Sequence, residues 1–267
     1  MYNIVGAGLA GSMLAKDFDN KNIEYRIFDA RLPFAASIIS ENLFSDTWLK
    51  DISYIKSSLD FIHNNYAVEK RKFVGKNVTK ELYHLPIPEV LKQDYINEKV
   101  IKADKEGVQT ENKYYKGVNI ICAGLLAKKL FKLPSLDALT GHGFFIKRKQ
   151  VEDYINTYRP YTHEKLMNWH NKLVWYGDST AIRHNNYMKK QKQYIQNSIG
   201  RLQALGINKY EKIVFGARPM NVSNPREGML VKINSNNYIV NGGWKDGLVI
   251  YPYLINELHK ILWATRL

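Results

Sequence analysis

The amino-acid sequence predicts an α/β fold, a Rossmann-like domain with a reduced, mainly antiparallel β domain inserted into it. Three observations carry this. The chain opens on a β-branched strand, Tyr2-Asn3-Ile4-Val5, which runs directly into Gly6-Ala7-Gly8-Leu9-Ala10-Gly11. An amphipathic helical stretch follows, and a second apolar strand closes on Asp29. Between about residues 70 and 116, and again beyond 140, short alternating segments bounded by turn residues replace the βα rhythm, the pattern of antiparallel strands.

Residues 2–5, 24–29 and 118–122 are expected as strands of one parallel sheet, with a crossover helix over 9–20. Over 46–65, Trp48, Leu49, Ile52, Ile55, Leu59 and Ile62 share one helical face. Short strands are expected at 71–74, 81–85, 99–103, 107–111 and 113–116, with Pro86 and Pro88 interrupting any helix there. After Gly124 a short helix over 125–131 leads to Pro134, and Gly141 begins another strand running to Ile146. Residues 173–176 read as a strand and 189–205 as an amphipathic helix ending at Gly206. Strands at 212–215, 228–232 and 237–241 follow, and the last helix runs from 253 to about 262, after Pro252. Residues 1–70, 97–140 and 212–267 are expected to form the Rossmann-like domain, and 71–96 with 141–211 the inserted one.

The opening motif is the dinucleotide-binding fingerprint in its full strand–turn–helix–strand setting. Gly6 permits the sharp turn, Gly8 lets the backbone approach a pyrophosphate, and Gly11 lets the helix pack closely on the strand. The helix N-terminus offers free N–H groups to phosphate. Asp29 is placed to accept from a ribose hydroxyl.

The chain has 267 residues, 45% of them hydrophobic, enough for a large core. No apolar run approaches the ~20 residues of a membrane span. The strand at the very start leaves no room for a signal peptide, and the single Cys122 suits a reducing, cytoplasmic setting. Cys122 ends an apolar strand, so a buried thiol is expected, with a covalent cofactor link as the lesser alternative. No metal is expected. Net charge is 39 − 25 = +14, which favours anionic partners, nucleic acid among them. Basic clusters lie at 69–72, 128–129, 147–149 and 189–192.

Four stretches together resemble the glycine oxidase and D-amino-acid oxidase superfamily of FAD-dependent oxidoreductases. They are the fingerprint with Asp29, Ala30 and Arg31; the small-residue loop 35–44 with Ser37, Ser40 and Glu41; the strand ending in Ala123-Gly124; and Gly216-Ala217-Arg218-Pro219 followed by Gly242-Gly243-Trp244-Lys245-Asp246-Gly247-Leu248. The resemblance implies that the Rossmann-like domain binds FAD and that the inserted β domain binds substrate. It implies that Gly6, Gly8, Leu9, Ala10, Gly11, Asp29, Ala30, Arg31, Ser37, Ser40, Glu41, Ala123, Gly124, Gly242, Gly243, Trp244, Asp246, Gly247 and Leu248 contact the cofactor. Arg218 would grip a substrate carboxylate, the planar bidentate task that a guanidinium suits. Lys245 would add a second positive charge at the flavin. Trp244, His142, Tyr176 and Tyr251 are candidates for the pocket wall.

The implied reaction oxidises the C–N bond of a small amino acid or secondary amine of the glycine, sarcosine or D-amino-acid type, by hydride transfer to flavin N5 and imine hydrolysis. A second reading places the same chemistry on a glycine-type adduct of a nucleic-acid base, in RNA or hypermodified DNA. That reading rests on the net charge and on a chain shorter than is usual in the family. A non-catalytic flavin-binding module, with Arg218 locked in an ion pair, is a third. An NAD-dependent enzyme is disfavoured by the second glycine-rich turn near the C-terminus.

Overall fold

The computed structural model describes residues 1–31, 35, 37, 43–44, 54–75, 78–92, 94–150, 158–159, 164–168, 173–177, 182–225, 227–243 and 247–264. In chain order its elements are β1 (Tyr2–Val5), α1 (Leu9–Asn20), β2 (Tyr25–Phe28), β3 (Leu43–Phe44), α2 (Ile55–Asn65), β4 (Glu69–Gly75), β5 (Val78–His84) and α3 (Ile87–Val90). Next come β6 (Val100–Ala103), β7 (Gly107–Thr110), β8 (Tyr114–Lys116), β9 (Val118–Ile121), a 3₁₀ turn (Gly124–Leu126), α4 (Ala127–Leu130), β10 (Leu136–Lys147), β11 (Tyr158–Arg159) and β12 (Glu164–Asn168). The last are β13 (Leu173–Gly177), β14 (Ile182–Arg183), α5 (His184–Ala204), β15 (Lys212–Asn221), β16 (Met229–Asn234), β17 (Asn237–Asn241) and α6 (Gly247–Ala264).

The first sheet has the order β16-β17-β9-β1-β2, with β17, β9, β1 and β2 parallel and β16 antiparallel at the edge. Helix α1 buries Ala10, Met13, Leu14, Ala15 and Phe18 in one apolar cluster with Ile4, Ile27 and Ile120 from the sheet. Helix α6 completes this cluster through Leu248, Val249, Ile250, Leu254, Ile255 and Leu258. Asp17 of α1 and His259 of α6 are joined inside it, with a 2.5 Å Oδ2···Nε2 separation. Lys21 donates to both oxygens of the same carboxylate, at 2.7 and 2.9 Å.

On the same sheet, Asn3, Asn119 and Asn237 stand at one register level across β1, β9 and β17, and all are fully buried. Asn3 Nδ2 donates to Asn119 Oδ1 (3.0 Å), and Asn119 Nδ2 donates to Asn237 Oδ1 (2.9 Å). The row also holds the antiparallel sheet β6-β7-β8 by its backbone. Asn119 donates to the carbonyls of Asp104 and Gly107, Asn237 to Asp104, and Asn3 to Tyr115. Polar groups taken from water need such partners, and here three amides supply them for one another and for a neighbouring sheet, with Asn3 Oδ1 alone in the row left without one among the described residues.

The larger sheet has the order β11-β12-β13-β10-β14, with β15 along β10 as well. Alternate residues of a strand point to opposite faces, and directly paired residues share a face. One face, with Phe144, Ile146, Val174 and Tyr176, packs against Leu202 of α5 and on Leu205 and Ile207 beyond it. On that face His142 bonds Ser198 Oγ and Tyr187 OH, both at 2.9 Å.

Several expectations need correction. β10 begins at Leu136, not Gly141, so it runs through position 140, where the sequence reading set a domain edge. β15 extends through Arg218 to Asn221 and lies in this same antiparallel sheet. Helix α5 starts at His184 rather than 189, with non-helical backbone at Lys190 next to the expected start, and α6 starts at Gly247 with Pro252 inside it rather than ahead of it. A proline six residues into a helix removes one interior hydrogen bond. Burial of Gly247 through Pro252 offsets that loss. Of the helix expected over 46–65, the described part is Ile55–Asn65; Trp48, Leu49 and Ile52 lie outside the described residues.

Candidate active site

The Gly6–Gly11 turn has the form its residues require. Gly6 sits at φ +104°, and a Cβ there would fall 2.7 Å from the Cys122 carbonyl oxygen. A Cβ on Gly11 would overlap the Gly6 carbonyl oxygen and lie 3.3 Å from Cys122 Cβ. Only glycine at both positions allows helix and strand this approach. Asp29 braces the turn: its Oδ2 accepts from Ala7 N–H (2.7 Å) and its Oδ1 from Arg31 N–H (2.6 Å). Ala30 lies between them at the end of β2. Arg31, at φ +48°, stacks on Tyr95 and donates from Nε to its hydroxyl at 2.8 Å. Tyr95 has no signal in the sequence, because it reaches the site only through the segment that runs beside β2 and pairs Ile96 with Phe28.

At the start of α1, Leu9 N–H donates to Ser37 Oγ at 2.8 Å. The N–H groups of Gly8, Ala10 and Gly11 have no hydrogen-bond partner among the described residues. Such a set at a helix N-terminus, held open by glycines, is the environment a phosphate takes.

The second glycine turn closes on the first. Gly242 is at φ +73°, its N–H donates to Asn241 Oδ1, and its carbonyl accepts from Asn221 N–H. Gly243 N–H donates to Tyr251 OH at 3.2 Å, and a Cβ on Gly243 would lie 2.8 Å from the Tyr251 ring. A Cβ on Gly247 would lie 3.5 Å from Leu9, so the start of α6 faces the start of α1, with Leu248 buried behind it. Asn241 Nδ2 donates to the carbonyl of Gly124, which follows Ala123 at the end of β9 at φ +55°.

Strand β15 enters this junction with Arg218. Its neighbour Ala217 bridges to Ala35, Pro219 lies beside Gly124, and Met220 bridges to Gly243. Arg218 is half-buried and pairs across the sheet with Leu139. No ion pair to it is formed among the described residues. The acid on the same face, Asp137, is engaged by Arg183 at 3.7 Å and by Ala138 N–H at 2.8 Å.

The structure thus brings together Gly6, Gly8, Leu9, Ala10, Gly11, Asp29, Ala30, Arg31, Ser37, Ala123, Gly124, Arg218, Gly242, Gly243, Gly247 and Leu248. Ser40, Glu41, Trp244, Lys245 and Asp246 lie outside the described residues. Tyr251 belongs to the second turn, and burial pushes its phenol well up from its ordinary value. His142 and Tyr176 are corrected: both face α5, on the side of the sheet opposite Arg218. Cys122 is buried behind Gly6 and Gly11, and burial raises its thiol far above the range where thiolate forms.

No family model matches the chain, and no curated protein matches it by sequence. Solved structures do. Glycine oxidase from Bacillus cereus aligns with a TM-score of 0.72 at 13% identity, over 99% of this chain and 95% of that one. An FAD-dependent oxidoreductase from Pseudomonas aeruginosa aligns with a TM-score of 0.66 at 12% identity, over 99% and 90%. Iminodiacetate oxidase from Chelativorans sp. gives 0.59 at 14%, over 99% and 95%. In fold, the chain is similar to glycine oxidase, iminodiacetate oxidase and an FAD-dependent oxidoreductase.

Proposed function

We propose that the protein is an FAD-dependent oxidoreductase that oxidises the C–N bond of a small amino acid or carboxylate-bearing secondary amine. The observation that carries this is Arg218, a half-buried guanidinium without an ion-pair partner among the described residues, set on β15 beside the residues that reach Gly124, Gly242 and Gly243. The residues fit FAD. The free N–H groups of Gly8, Ala10 and Gly11 would take the pyrophosphate, Asp29 retains lone pairs for ribose hydroxyls, and Gly242 and Gly243 give a second close backbone approach. When bound, FAD supplies a two-electron hydride acceptor, which turns the amine into an imine that water then hydrolyses.

The chain's own residues bind and orient. Pairing of β15 with β10 holds the Arg218 backbone rigid, and Arg183 occupies Asp137, so the guanidinium is free for a substrate carboxylate. His142 is on the far face and Asp137 is engaged, which leaves neither as a base beside Arg218. Hydride transfer from a neutral amine, assisted by the nitrogen lone pair, needs no side-chain base. A non-catalytic module needs Arg218 in an internal ion pair, and none is formed among the described residues. The basic helix α5, with Lys189, Lys190, Lys192 and Arg201 and no acid, covers the opposite face of the sheet. It lends no support to a substrate carried on nucleic acid.

The test is anaerobic bleaching of the flavin visible band by glycine, sarcosine, D-amino acids and longer N-substituted glycines. Arg218→Ala should keep the flavin and lose about a hundredfold in kcat/KM, or ~3 kcal/mol. Lysine at the same position should recover only part of that. A flavin-loaded protein reduced by none of these donors overturns the reading.

A further inference from the structure

Arg218 shares its sheet face with Leu139, and by alternation with Gly141, Gly143 and Phe145 of β10, whose partners on β15 are Gly216, Val214 and Lys212. Phe145 also pairs with Trp175 of β13, so Trp175 stands on that face too. Its indole lies over Gly143 and Gly177. A Cβ on Gly143 would be 2.7 Å from Nε1, and one on Gly177 would overlap the six-membered ring. The ring therefore leans from the Phe145 level toward the end of the sheet that carries Arg218, with its N–H edge over β10. Between the two stand Gly141 and Gly216, direct partners that put no side chain on this face.

Trp175 is 3% exposed, and its Nε1 is buried with no hydrogen-bond partner among the described residues. A buried indole N–H normally finds an acceptor, and leaving one without costs free energy. The same glycine-floored face thus carries two donors unanswered among the described residues, the Trp175 N–H and the Arg218 guanidinium.

We propose that Trp175 is a specificity-determining residue, its indole N–H receiving an oxygen acceptor at the far end of a substrate whose carboxylate sits on Arg218. This rests on the function proposed above and narrows it. Gly143 and Leu139 lie four steps apart on β10, about 14 Å along the strand, a span that the Arg218 side chain shortens. Glycine and sarcosine cannot bridge it. The substrate class is an amino acid, or an N-substituted glycine, with a carbonyl, carboxylate or hydroxyl several bonds from the amine.

The experiment compares N-(3-carboxypropyl)glycine with N-butylglycine, matched in length and differing in the terminal acceptor, on wild type and Trp175→Phe. Wild type should favour the acceptor-bearing compound about tenfold in KM. The phenylalanine variant should lose that preference, its KM rising about tenfold more for the acceptor-bearing compound than for N-butylglycine. Equal KM values for the two compounds in wild type overturn the proposal without any variant, as does an equal loss on both in the variant. If neither compound reduces the flavin, the proposed oxidation fails instead. Thermal-shift binding of the same pair then decides whether the acceptor is recognised.

Discussion

Replacing Gly11 by alanine tests whether the close approach of α1 to β1 and β9 shapes the phosphate cradle. The new methyl would overlap the Gly6 carbonyl oxygen and sit 3.3 Å from Cys122 Cβ, with backbone on one side and a buried side chain on the other. Neither can swing away, so the start of α1 must retreat by roughly 1 Å. Overpacking of this kind costs about 2 kcal/mol, which for a chain of this size lowers Tm by about 4–8 °C. The same retreat moves the N–H groups of Gly8, Ala10 and Gly11, and a 1 Å misplacement is worth up to about a hundredfold. The assay is thermal unfolding of the flavin-free protein together with FAD titration by flavin fluorescence. Gly200→Ala is the control: Gly200 lies in α5, and a Cβ there would meet nothing within 4 Å. That change should stabilise by about 0.5 kcal/mol and leave FAD affinity alone. Wild-type stability and FAD affinity in Gly11→Ala would refute the account of the cradle.

Three further outcomes follow from buried polar groups. Burial alone would raise the Asp17 carboxyl, but the hydrogen bonds from His259 and Lys21 outweigh it and hold the group below its ordinary value of 3.8. A depressed carboxyl contributes stability fully present above that value and lost as pH falls through the lower folded one. Asp17→Asn should therefore cost about 3 kcal/mol near neutrality, and Tm measured against pH should show the gap to wild type closing in acid. Asn119→Ala should cost about 2–4 kcal/mol, because it strips partners from Asn3, Asn237 and Gly107. Hydrogen exchange should then report faster opening of β7 than of β1. Tyr251→Phe should leave the Gly243 N–H unanswered and weaken FAD binding several-fold, read by the same fluorescence titration.

The first third of the fold was legible because local chemistry and tertiary role coincide there. Gly6, Gly8 and Gly11 are needed for backbone reasons that hold wherever the motif occurs, and Tyr2–Val5 is buried on both faces. The errors came where tertiary packing overrode a local signal. Leu136, Ala138 and Thr140 alternate as buried residues of β10, but the nearby Pro134 and Gly141 read as breaks. Pro252 marked a helix start, whereas the buried run from Gly247 carries α6 straight through it. Arg218 was legible as a residue, but its surroundings were not. Only the pairing of Leu139 with Arg218, and of Phe145 with Trp175, puts arginine and indole on one face. His142 failed for the same reason in reverse, since one step of register turns it toward α5.

The row of Asn3, Asn119 and Asn237 has a consequence for how the chain is assembled. Strand β17 joins β9 after an excursion of more than a hundred residues that builds the whole antiparallel sheet. Slipping β17 by one position would turn Asn237 out of the row and push the Tyr238 ring toward the amides. The three amides act as a key and lock between segments made far apart in time, and they reject every alignment but one. Because that match does not depend on the length or content of the excursion, the intervening sheet can be trimmed, lengthened or rebuilt around a new substrate while the nucleotide cradle closes in the same way.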